Sequence, residues 1–406
     1  MPAVTSDRNG DGCGIPADVC RRTWVRGSVL RWVRVCALFL VVGVAWATHG
    51  FQVEQYGVVS LAAVSPATTA SPDASFSKRL ATGCVSVLKR VAVIVIGVYV
   101  GLSLYMFAFQ ERVVFYPSRR VTMTPDQIGL PYEELKLETP GGDLVSAWFV
   151  PCETARGVAV FCHGNAGNIG DRLDTVEMLN EFGLSTLVFD YPGYGTSDGR
   201  PSERGAYDAA KAAWDFVVDR RGCSPEDVVV FGRSLGGPVA AWLAQTVKPA
   251  GLVLESTFIS ASEMGVDVYP YLPVRLLCRI KFPTRDYLAG VSCPVLVVHS
   301  EDDELIRFRH GEALYAAAPE PKEFCRIVGA HNDGFLVSGE MYKRGVACFL
   351  DRFLPVPEVR REVAIEATGT GETSIKSETQ TGGEQAGAGA ASSGDGKRST
   401  GGAHEQ

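Results

Sequence analysis

Residues 228–243 read VVVFGRSLGGPVAAWL, and this stretch decides the fold. The apolar run Val228–Phe231 predicts a buried strand, whereas the residues from Pro238 onward predict a helix. Between them lies the sequence G-x-S-x-G, in which glycines allow a turn too tight for larger side chains. A strand, a sharp turn and a helix around such a serine form a nucleophile elbow, so Ser234 is the candidate nucleophile. A plain glycine-rich turn is the alternative interpretation.

Short apolar runs and helical patterns alternate on both sides of this elbow, from about residue 131 to residue 354. The predicted strands are 134–138, 144–150, 158–162, 185–189, 228–231, 252–254, 295–298 and 324–328. The first two flank Pro140-Gly141-Gly142 and predict a hairpin, while residues 204–219 and 238–246 predict helices. Continuous apolar strands separated by helices are typical of a parallel sheet covered on both faces. We therefore expect an α/β fold with a mostly parallel central sheet and helices on both of its faces.

A serine hydroxyl is a weak nucleophile until a neighbouring base takes its proton. In the order that accompanies this elbow, an acid and then a histidine follow the serine along the chain. Four histidines follow Ser234, namely His299, His310, His331 and His404. His331 lies in the loop after the last predicted strand, which suits a base, whereas His404 lies in a polar C-terminal tail. We therefore predict His331 as the general base.

Candidate acids cluster after the strand 295–298, and one more ends the preceding strand: Glu301, Asp302, Asp303, Glu304 and Glu255. One carboxylate is required, because it holds the imidazole in the correct tautomer and stabilises its charged form. Chemistry alone does not choose among these residues. We select Asp303 first and Asp302 second.

The oxyanion of an acyl-transfer intermediate requires N–H donors that are already oriented towards it. One predicted donor is the backbone of Leu235, directly after the serine. A second is the backbone of Gly164 or Asn165, in the loop after the strand 158–162. His163 in the same loop is expected to shape it rather than to act as the base.

Residues 91–109 are nineteen consecutive uncharged residues, enough to cross a bilayer as a helix. We predict a transmembrane helix there, with a buried core helix as the alternative. The thirteen-residue apolar run at 35–47 is short for a span, so a signal peptide, a membrane-skimming segment and a second span stay open. Lysine and arginine counts on the two sides of the span slightly favour a cytoplasmic N-terminus. A cleaved signal peptide upstream would reverse this orientation, so the side of the membrane on which the catalytic domain lies stays open. We expect a single-pass protein of the endomembrane system.

The flanking segments are expected to lie outside the folded domain, and the composition argues against several classes of protein. Residues 1–90 form an N-terminal extension, and residues 355–406 are rich in small and polar amino acids, which predicts disorder. A net charge of −7 argues against nucleic-acid binding, which needs a basic face. The eleven cysteines contain no C-x-x-C and the six histidines no H-E-x-x-H, so we expect neither a metal nor another cofactor.

Several motifs resemble those of the family of α/β-hydrolase domain-containing protein 13. They are HGNAGNIG at 163–170, DYPGYG at 190–195, GRSLGG at 232–237, ESTF at 255–258 and GAHND at 329–333. The resemblance covers residues 91–354 and implies an α/β-hydrolase fold, a single membrane span and a triad of Ser234, Asp303 and His331. It implies Asp303 because this residue aligns with the aspartate before the family's apolar pair, here Leu305-Ile306.

An insertion at about 258–290, rich in Tyr, Leu and Pro, is expected to form a short cap that shapes the substrate pocket. The leading hypothesis is a membrane-anchored serine hydrolase that cleaves carboxylic esters or thioesters through an acyl-enzyme on Ser234. Its substrate is expected to be a small molecule, a lipid or an acylated protein. The related domain 17 branch consists of protein depalmitoylases, so the resemblance keeps thioester cleavage open. The alternatives are a serine peptidase of the same fold and a catalytically silent, membrane-tethered scaffold.

Overall fold

The structure is a computed structural model, and it describes residues 74–356. The apolar segment predicted at 35–47 and His404 lie outside the described residues. The same holds for all but the first two residues of the tail predicted at 355–406.

Ten strands lie within the described residues, and eight of them form one central sheet. Their bounds are β1 (Tyr116–Pro117), β2 (Glu133–Glu138), β3 (Leu144–Val150), β4 (Gly157–Cys162), β5 (Ala166–Gly167), β6 (Leu184–Phe189), β7 (Val228–Arg233), β8 (Gly251–Glu255), β9 (Val295–Ser300) and β10 (Lys322–Ile327). The order across the central sheet is β10-β9-β8-β7-β4-β6-β3-β2. The pairs β2–β3 and β3–β6 are antiparallel, and the other neighbours are parallel. The short strands β1 and β5 pair with each other, also in parallel.

Helices precede the sheet and connect its strands. Their bounds are α1 (Ala74–Ala108), α2 (Gln110–Val114), α3 (Leu173–Glu181), α4 (Glu203–Asp215), α5 (Gly236–Val247), α6 (Ala261–Val268), α7 (Val274–Leu277), α8 (Thr284–Leu288), α9 (Arg309–Ala317), α10 (Gly334–Val337) and α11 (Glu340–Phe353). The insertion between β8 and β9 carries α6, α7 and α8, and it is called the cap below. These three helices lie within residues 258–290, where the sequence predicts an insertion.

The parallel strands are buried on both faces, as their continuous apolar sequences predict. All six residues of β4 are buried. Val160 belongs to a core shared with α4 and α5, whereas Phe161 belongs to a second core shared with α3 and α11. Because alternate side chains leave a strand on opposite faces, the two cores lie on opposite sides of the sheet. The carboxyl ends of β7, β9 and β10 therefore meet along one edge, where their loops can form a site.

Some element bounds differ from those that the sequence predicts. Helix α1 begins at Ala74 rather than at Val91, because Lys89 and Arg90 are good helix formers and do not end a helix. The helix predicted at 204–219 is α-helical to Asp215 and then continues as a π-helical turn. The last strand comprises 322–327 rather than 324–328. Most other strands extend the predicted ranges by one or two residues, because backbone pairing continues past the apolar run.

Candidate active site

Ser234 occupies the tight turn between the end of β7 and the start of α5. Its φ is 53°, a left-handed conformation that costs a non-glycine residue on the order of 1 kcal/mol or more. A Cβ on Gly236 would lie 1.9 Å from the carbonyl oxygen of Cys162, and one on Gly232 would lie 2.5 Å from the Cβ of Ala240. Both glycines of G-x-S-x-G are thus required by the close approach of the backbone. The strand, turn and helix predicted around Ser234 are all present.

His331 reaches Ser234 from the loop after β10. Its Nε2 lies 3.0 Å from Oγ of Ser234, and its side chain is almost completely buried. The backbone N–H of His331 donates a hydrogen bond to the Glu304 carboxylate at 3.0 Å. The preceding N–H, that of Ala330, donates to Asp333 at 2.8 Å. These two bonds fix the loop that holds the imidazole against the hydroxyl group.

Asp303 lies on the other side of the imidazole ring. Its Oδ2 is 2.8 Å from Nδ1 of His331, and its Oδ1 accepts hydrogen bonds from the backbone N–H groups of Leu305 and Ile306 at 3.0 and 2.7 Å. Burial alone would raise the pKa of Asp303. The hydrogen bond and charge of His331, together with the Ile306 N–H, outweigh burial, so the pKa of this carboxyl lies below its usual value. The ionised carboxylate can therefore accept a hydrogen bond from Nδ1–H of His331.

The acids next to Asp303 in sequence have other partners. Asp302 accepts a hydrogen bond from the backbone N–H of Gly329 at 3.3 Å. Glu304 accepts the bond from the backbone of His331 described above. Among the candidate acids, which all lie within the described residues, Asp303 is the one whose carboxylate contacts a ring nitrogen of His331.

Two candidate acids remain: Glu301 is paired with Arg326 at 3.1 Å, and Glu255 contacts Arg233 of the elbow. One oxygen of Glu255 lies 3.2 Å from Nε of Arg233, and the other accepts a hydrogen bond from the Tyr342 hydroxyl at 2.6 Å. Arg233 also donates to the carbonyl oxygen of Asn332, next to His331, at 3.0 Å. Arg233 is not among the residues predicted from the sequence. One sequence signal could have indicated this ion pair: Arg233 and Glu255 end consecutive strands, and the two residues are direct partners in the sheet register.

The residues predicted to supply oxyanion donors border the serine. Leu235 is buried and directly precedes α5, so its backbone lies at the N-terminus of that helix. A Cβ on Gly164 would lie 3.5 Å from the Cβ of Ser234, which shows that this loop passes directly beside the serine. Thr257, which the sequence did not indicate, donates from its hydroxyl to the Ser234 carbonyl at 2.7 Å. No simple sequence signal distinguishes that threonine.

Asn165 joins the same loop to the segment that leaves α2. Its side-chain Nδ2 donates to the carbonyl oxygen of Val114 at 2.5 Å, and its Oδ1 accepts from the backbone N–H of Tyr116 at 3.2 Å. The Tyr194 hydroxyl also donates to Oδ1, at 2.9 Å. The pairing of β1 with β5 continues this attachment. The chain that follows α1 is thus bound to a loop that borders Ser234.

His163 supports this loop from within the protein. It is completely buried, its Nδ1 lies 2.7 Å from the carbonyl oxygen of Gly164, and its ring stacks on Tyr191 at 4.5 Å between centroids. Its Nε2 lies 3.4 Å from the carboxylate of Asp190, without the alignment of a hydrogen bond. These contacts agree with the loop-shaping position predicted for His163.

Two further histidines are buried near the site. His299 Nε2 lies 2.9 Å from the carbonyl oxygen of Ile306 and 3.7 Å from Asp303. His310 Nε2 lies 3.0 Å from the Asp267 carboxylate in the cap. Burial lowers the pKa of both imidazoles below the usual value. Among residues 74–356, no group of three or more His, Cys, Asp or Glu side chains is placed to hold a metal ion.

Several known proteins are similar to this chain over most of the domain. The family described as serine aminopeptidase, S33, matches residues 153–285. An uncharacterized protein of Mycobacterium tuberculosis is 35% identical over 253 residues, which cover 62% of this chain and 90% of the relative. The α/β-hydrolase domain-containing protein WAV2 of Arabidopsis thaliana is 33% identical, with coverage of 66% and 94%. The α/β-hydrolase domain-containing protein 17C of Xenopus tropicalis is 32% identical, with coverage of 50% and 64%.

Among solved structures, the Pyrococcus furiosus esterase Pf2001 has a similar fold. It superposes with a TM-score of 0.51 at 20% identity, and the match covers 59% of this chain and 99% of the esterase. At this identity the likeness concerns the fold alone. Together with the family match, it confirms the predicted fold class, a mostly parallel sheet between helices.

Proposed function

The chain belongs to the family of α/β-hydrolase domain-containing proteins, and on that premise we propose that it is a membrane-anchored serine hydrolase that cleaves carboxylic ester or thioester bonds. One observation carries this proposal. Nδ1 of His331 is 2.8 Å from the Asp303 carboxylate, while Nε2 of the same ring is 3.0 Å from the Ser234 hydroxyl. Both distances are those of hydrogen bonds, and this series is what a serine nucleophile and its base require.

In the proposed reaction, Oγ of Ser234 attacks the substrate's carbonyl carbon while Nε2 of His331 takes the hydroxyl proton. Asp303 stabilises the imidazolium, and the carbonyl oxygen becomes an oxyanion. When this intermediate collapses, the bond to the alcohol or thiol breaks and the imidazolium protonates the leaving group. Water then attacks the acyl-enzyme, with His331 again as the base, and the carboxylic acid is released.

We assign the oxyanion donors to the backbone N–H of Leu235 and to that of Gly164 or Asn165. The position of Leu235 at the start of α5 supports this assignment, because the N-terminus of a helix favours negative charge. The closeness of Gly164 to the Ser234 side chain supports the second donor. Each such donor stabilises a transition state by about 3 kcal/mol in serine hydrolases.

We further propose that α1 anchors the domain to a membrane as a single span at about 91–109. Within the described part of the chain, one helical segment, Val85–Ala108, has the length and apolar composition needed to cross a bilayer. Only 6% of that segment's most apolar stretch is buried by the rest of the protein. A helix of a soluble core would bury an apolar stripe instead. A closer relationship to the group of α/β-hydrolase domain-containing protein 13, and its endomembrane location, are part of the same proposal.

The proposed span ends close to the site, which favours substrates with acyl chains. Helix α2 leads from Gln110 to Val114, and the carbonyl oxygen of Val114 accepts the hydrogen bond from Asn165. Five helical residues correspond to about 8 Å along the helix axis. An acyl group that leaves the bilayer beside α1 would therefore reach the loop that borders Ser234 without a long path through water.

A serine peptidase is the second candidate, because the matching family is described as a serine aminopeptidase. An aminopeptidase needs a free carboxylate for the substrate's terminal ammonium group. Two carboxylates of the cap are already paired: Glu263 lies 3.1 Å from Arg275, and Asp267 lies 2.6 Å from Arg309. These two carboxylates are therefore not free to bind a substrate's N-terminus.

The test compares an ester, a thioester and an amide of the same acyl group, with the full-length protein in detergent. We expect turnover of the ester and thioester, loss of this turnover in Ser234→Ala, and normal turnover in Ser224→Ala. Ser224 is a matched control because it precedes β7, whereas Ser234 follows it. Faster cleavage of the amide would favour the peptidase. A lack of turnover on all three, unchanged by Ser234→Ala, would favour the scaffold.

A further inference from the structure

The tip of the cap, residues 268–277, presents an apolar surface to the exterior. Tyr271 is 89% exposed and Leu276 is 83% exposed, and Val268 is 44% exposed beside them. Pro270 and Pro273 add exposed apolar surface between these side chains. Large apolar side chains grouped in this way are uncommon on a surface that faces water, and they indicate a surface that contacts a partner or a membrane.

Two groups of contacts attach the cap to α1 and α2. The Tyr99 hydroxyl of α1 donates a hydrogen bond to the backbone carbonyl oxygen of Tyr271 at 3.2 Å. Gln110, which is buried, donates from its amide to the carbonyl oxygen of Leu277. The amide oxygen of Gln110 accepts from the backbone N–H groups of Arg279 and Ile280 at 2.8 and 3.2 Å. The cap is therefore fixed at a defined height along α1.

That height corresponds to the interior of a bilayer if α1 spans it. Tyr99 lies about 13 Å along the helix axis before Ala108, the last residue of α1, at 1.5 Å per residue. Half of a hydrocarbon core is about 15 Å thick. A cap tip that is hydrogen-bonded to Tyr99 therefore extends well below the surface of the leaflet in which α1 ends.

We propose that the cap tip inserts into the acyl-chain region of the leaflet that holds the C-terminal half of α1. This inference rests on the membrane anchoring proposed above. Its partner is the lipid bilayer, and Tyr271 and Leu276 are the side chains that enter it. Amphipathic segments that bind membranes in this way place aromatic and aliphatic side chains among the lipid chains and keep basic residues at the headgroups.

Two arginines of the cap bear on this orientation, Arg279 near the end of α1 and Arg275 in the tip. The Arg279 guanidinium lies 5.0 Å from the ring centroid of Phe107, near the end of α1, where lipid phosphates would accept its hydrogen bonds. Arg275 lies within the tip, and its exposed side chain is paired with Glu263 at 3.1 Å, so its charge is opposed by a carboxylate rather than left single. The same arrangement would bring acyl chains of that leaflet near the site, because Gln110, which holds the cap, lies four residues before Val114, whose carbonyl oxygen binds Asn165 of the loop beside Ser234.

Depth-dependent fluorescence quenching tests the proposal on the full-length protein in phosphatidylcholine vesicles with brominated acyl chains. Tyr271→Trp reports the cap tip, Val95→Trp reports α1, and Met341→Trp on α11 is an exposed control outside the cap. The six native tryptophans are subtracted with the wild-type protein. We expect quenching of the added fluorescence at positions 271 and 95 and none at position 341.

The three reporters separate the two proposals. Quenching at position 95 without quenching at position 271 would overturn the insertion of the cap while leaving the anchor intact; the apolar tip would then face water or another protein. A lack of quenching at both positions would overturn the anchor and the insertion together. Quenching at position 271 supports the insertion whether or not the protein hydrolyses an ester.

A double variant tests the consequence for the substrate. In Tyr271→Asp with Leu276→Asp, we expect turnover of a long-chain acyl substrate in vesicles to fall about tenfold or more, because two charges oppose insertion. Turnover of a short, water-soluble ester in detergent should stay normal, since these exposed side chains do not pack against the core. If the double variant turned over the long-chain substrate in vesicles as fast as the wild type, that result would contradict insertion of the tip.

Discussion

The hydrogen bonds of Asp303 allow the effect of Asp303→Asn to be worked out in detail. Oδ1 of Asp303 accepts two backbone N–H groups, from Leu305 and Ile306, and Oδ2 faces Nδ1 of His331. An asparagine at this position must keep its carbonyl oxygen on the two N–H donors, because an NH₂ group there would face two other donors. Its NH₂ group would then point at Nδ1 of His331.

This orientation forces the imidazole into the wrong tautomer. Nδ1 becomes an acceptor, so the ring proton moves to Nε2, which then cannot take the proton of Ser234. In a serine triad the corresponding change lowers kcat about 10,000-fold, or about 5 kcal/mol of transition-state stabilisation. The fold should be retained, because the two backbone hydrogen bonds to position 303 persist.

The assay is kcat/KM on a chromogenic short-chain ester with the full-length protein in detergent. Asp302→Asn and Glu304→Gln are the matched controls, because these neighbours accept hydrogen bonds from backbone N–H groups rather than from the imidazole ring. We expect both controls to lie within about tenfold of the wild type, a loss of 1.4 kcal/mol or less. A loss in Asp302→Asn as large as in Asp303→Asn would refute the assignment of the acid.

Three further changes test the supporting structure. Gly236→Ala places a Cβ 1.9 Å from the carbonyl oxygen of Cys162, so the free energy of unfolding should fall by about 3 kcal/mol, measured by thermal denaturation. Tyr342→Phe removes the 2.6 Å bond to the buried Glu255 carboxylate and should cost about 2 kcal/mol in urea unfolding. His299 has a folded pKa below the 6.5 of the unfolded chain, so the unfolded state binds protons first as pH falls. Stability should therefore decrease as pH falls below about 6.5, and His299→Gln should reduce that slope; an unchanged slope would contradict this origin.

The elbow could be predicted from the sequence because its determinants are local. The glycines at 232 and 236 meet Ala240 and Cys162 so closely that no other residue fits, and a buried strand and a helix flank them in the sequence. The position of His331 followed from chain order, since the base of this arrangement comes from the loop after a late strand.

The choice of the acid could not be derived from residue chemistry alone. Positions 302, 303 and 304 are all acidic, and an irregular turn sends their side chains to three different groups: the Gly329 N–H, the His331 ring and the His331 N–H. Only the tertiary structure determines which one faces the imidazole. The bonds of Gln110 to the cap depend on a similar long-range contact, whereas the start of α1 at Ala74 depends on the helix propensity of residues before the apolar run, such as Lys89 and Arg90. The apolar pattern of residues 91–109 indicates neither the Gln110 bonds nor the start of the helix at Ala74.

The most direct test of the account is the site at which an activity-based probe reacts. The full-length protein is treated with a fluorophosphonate, and the labelled peptide is identified by mass spectrometry. We expect a single adduct on Ser234, lost in His331→Ala and retained in Ser224→Ala. An adduct on another serine, or no adduct on a folded protein, would contradict the claim that His331 activates the hydroxyl group beside it.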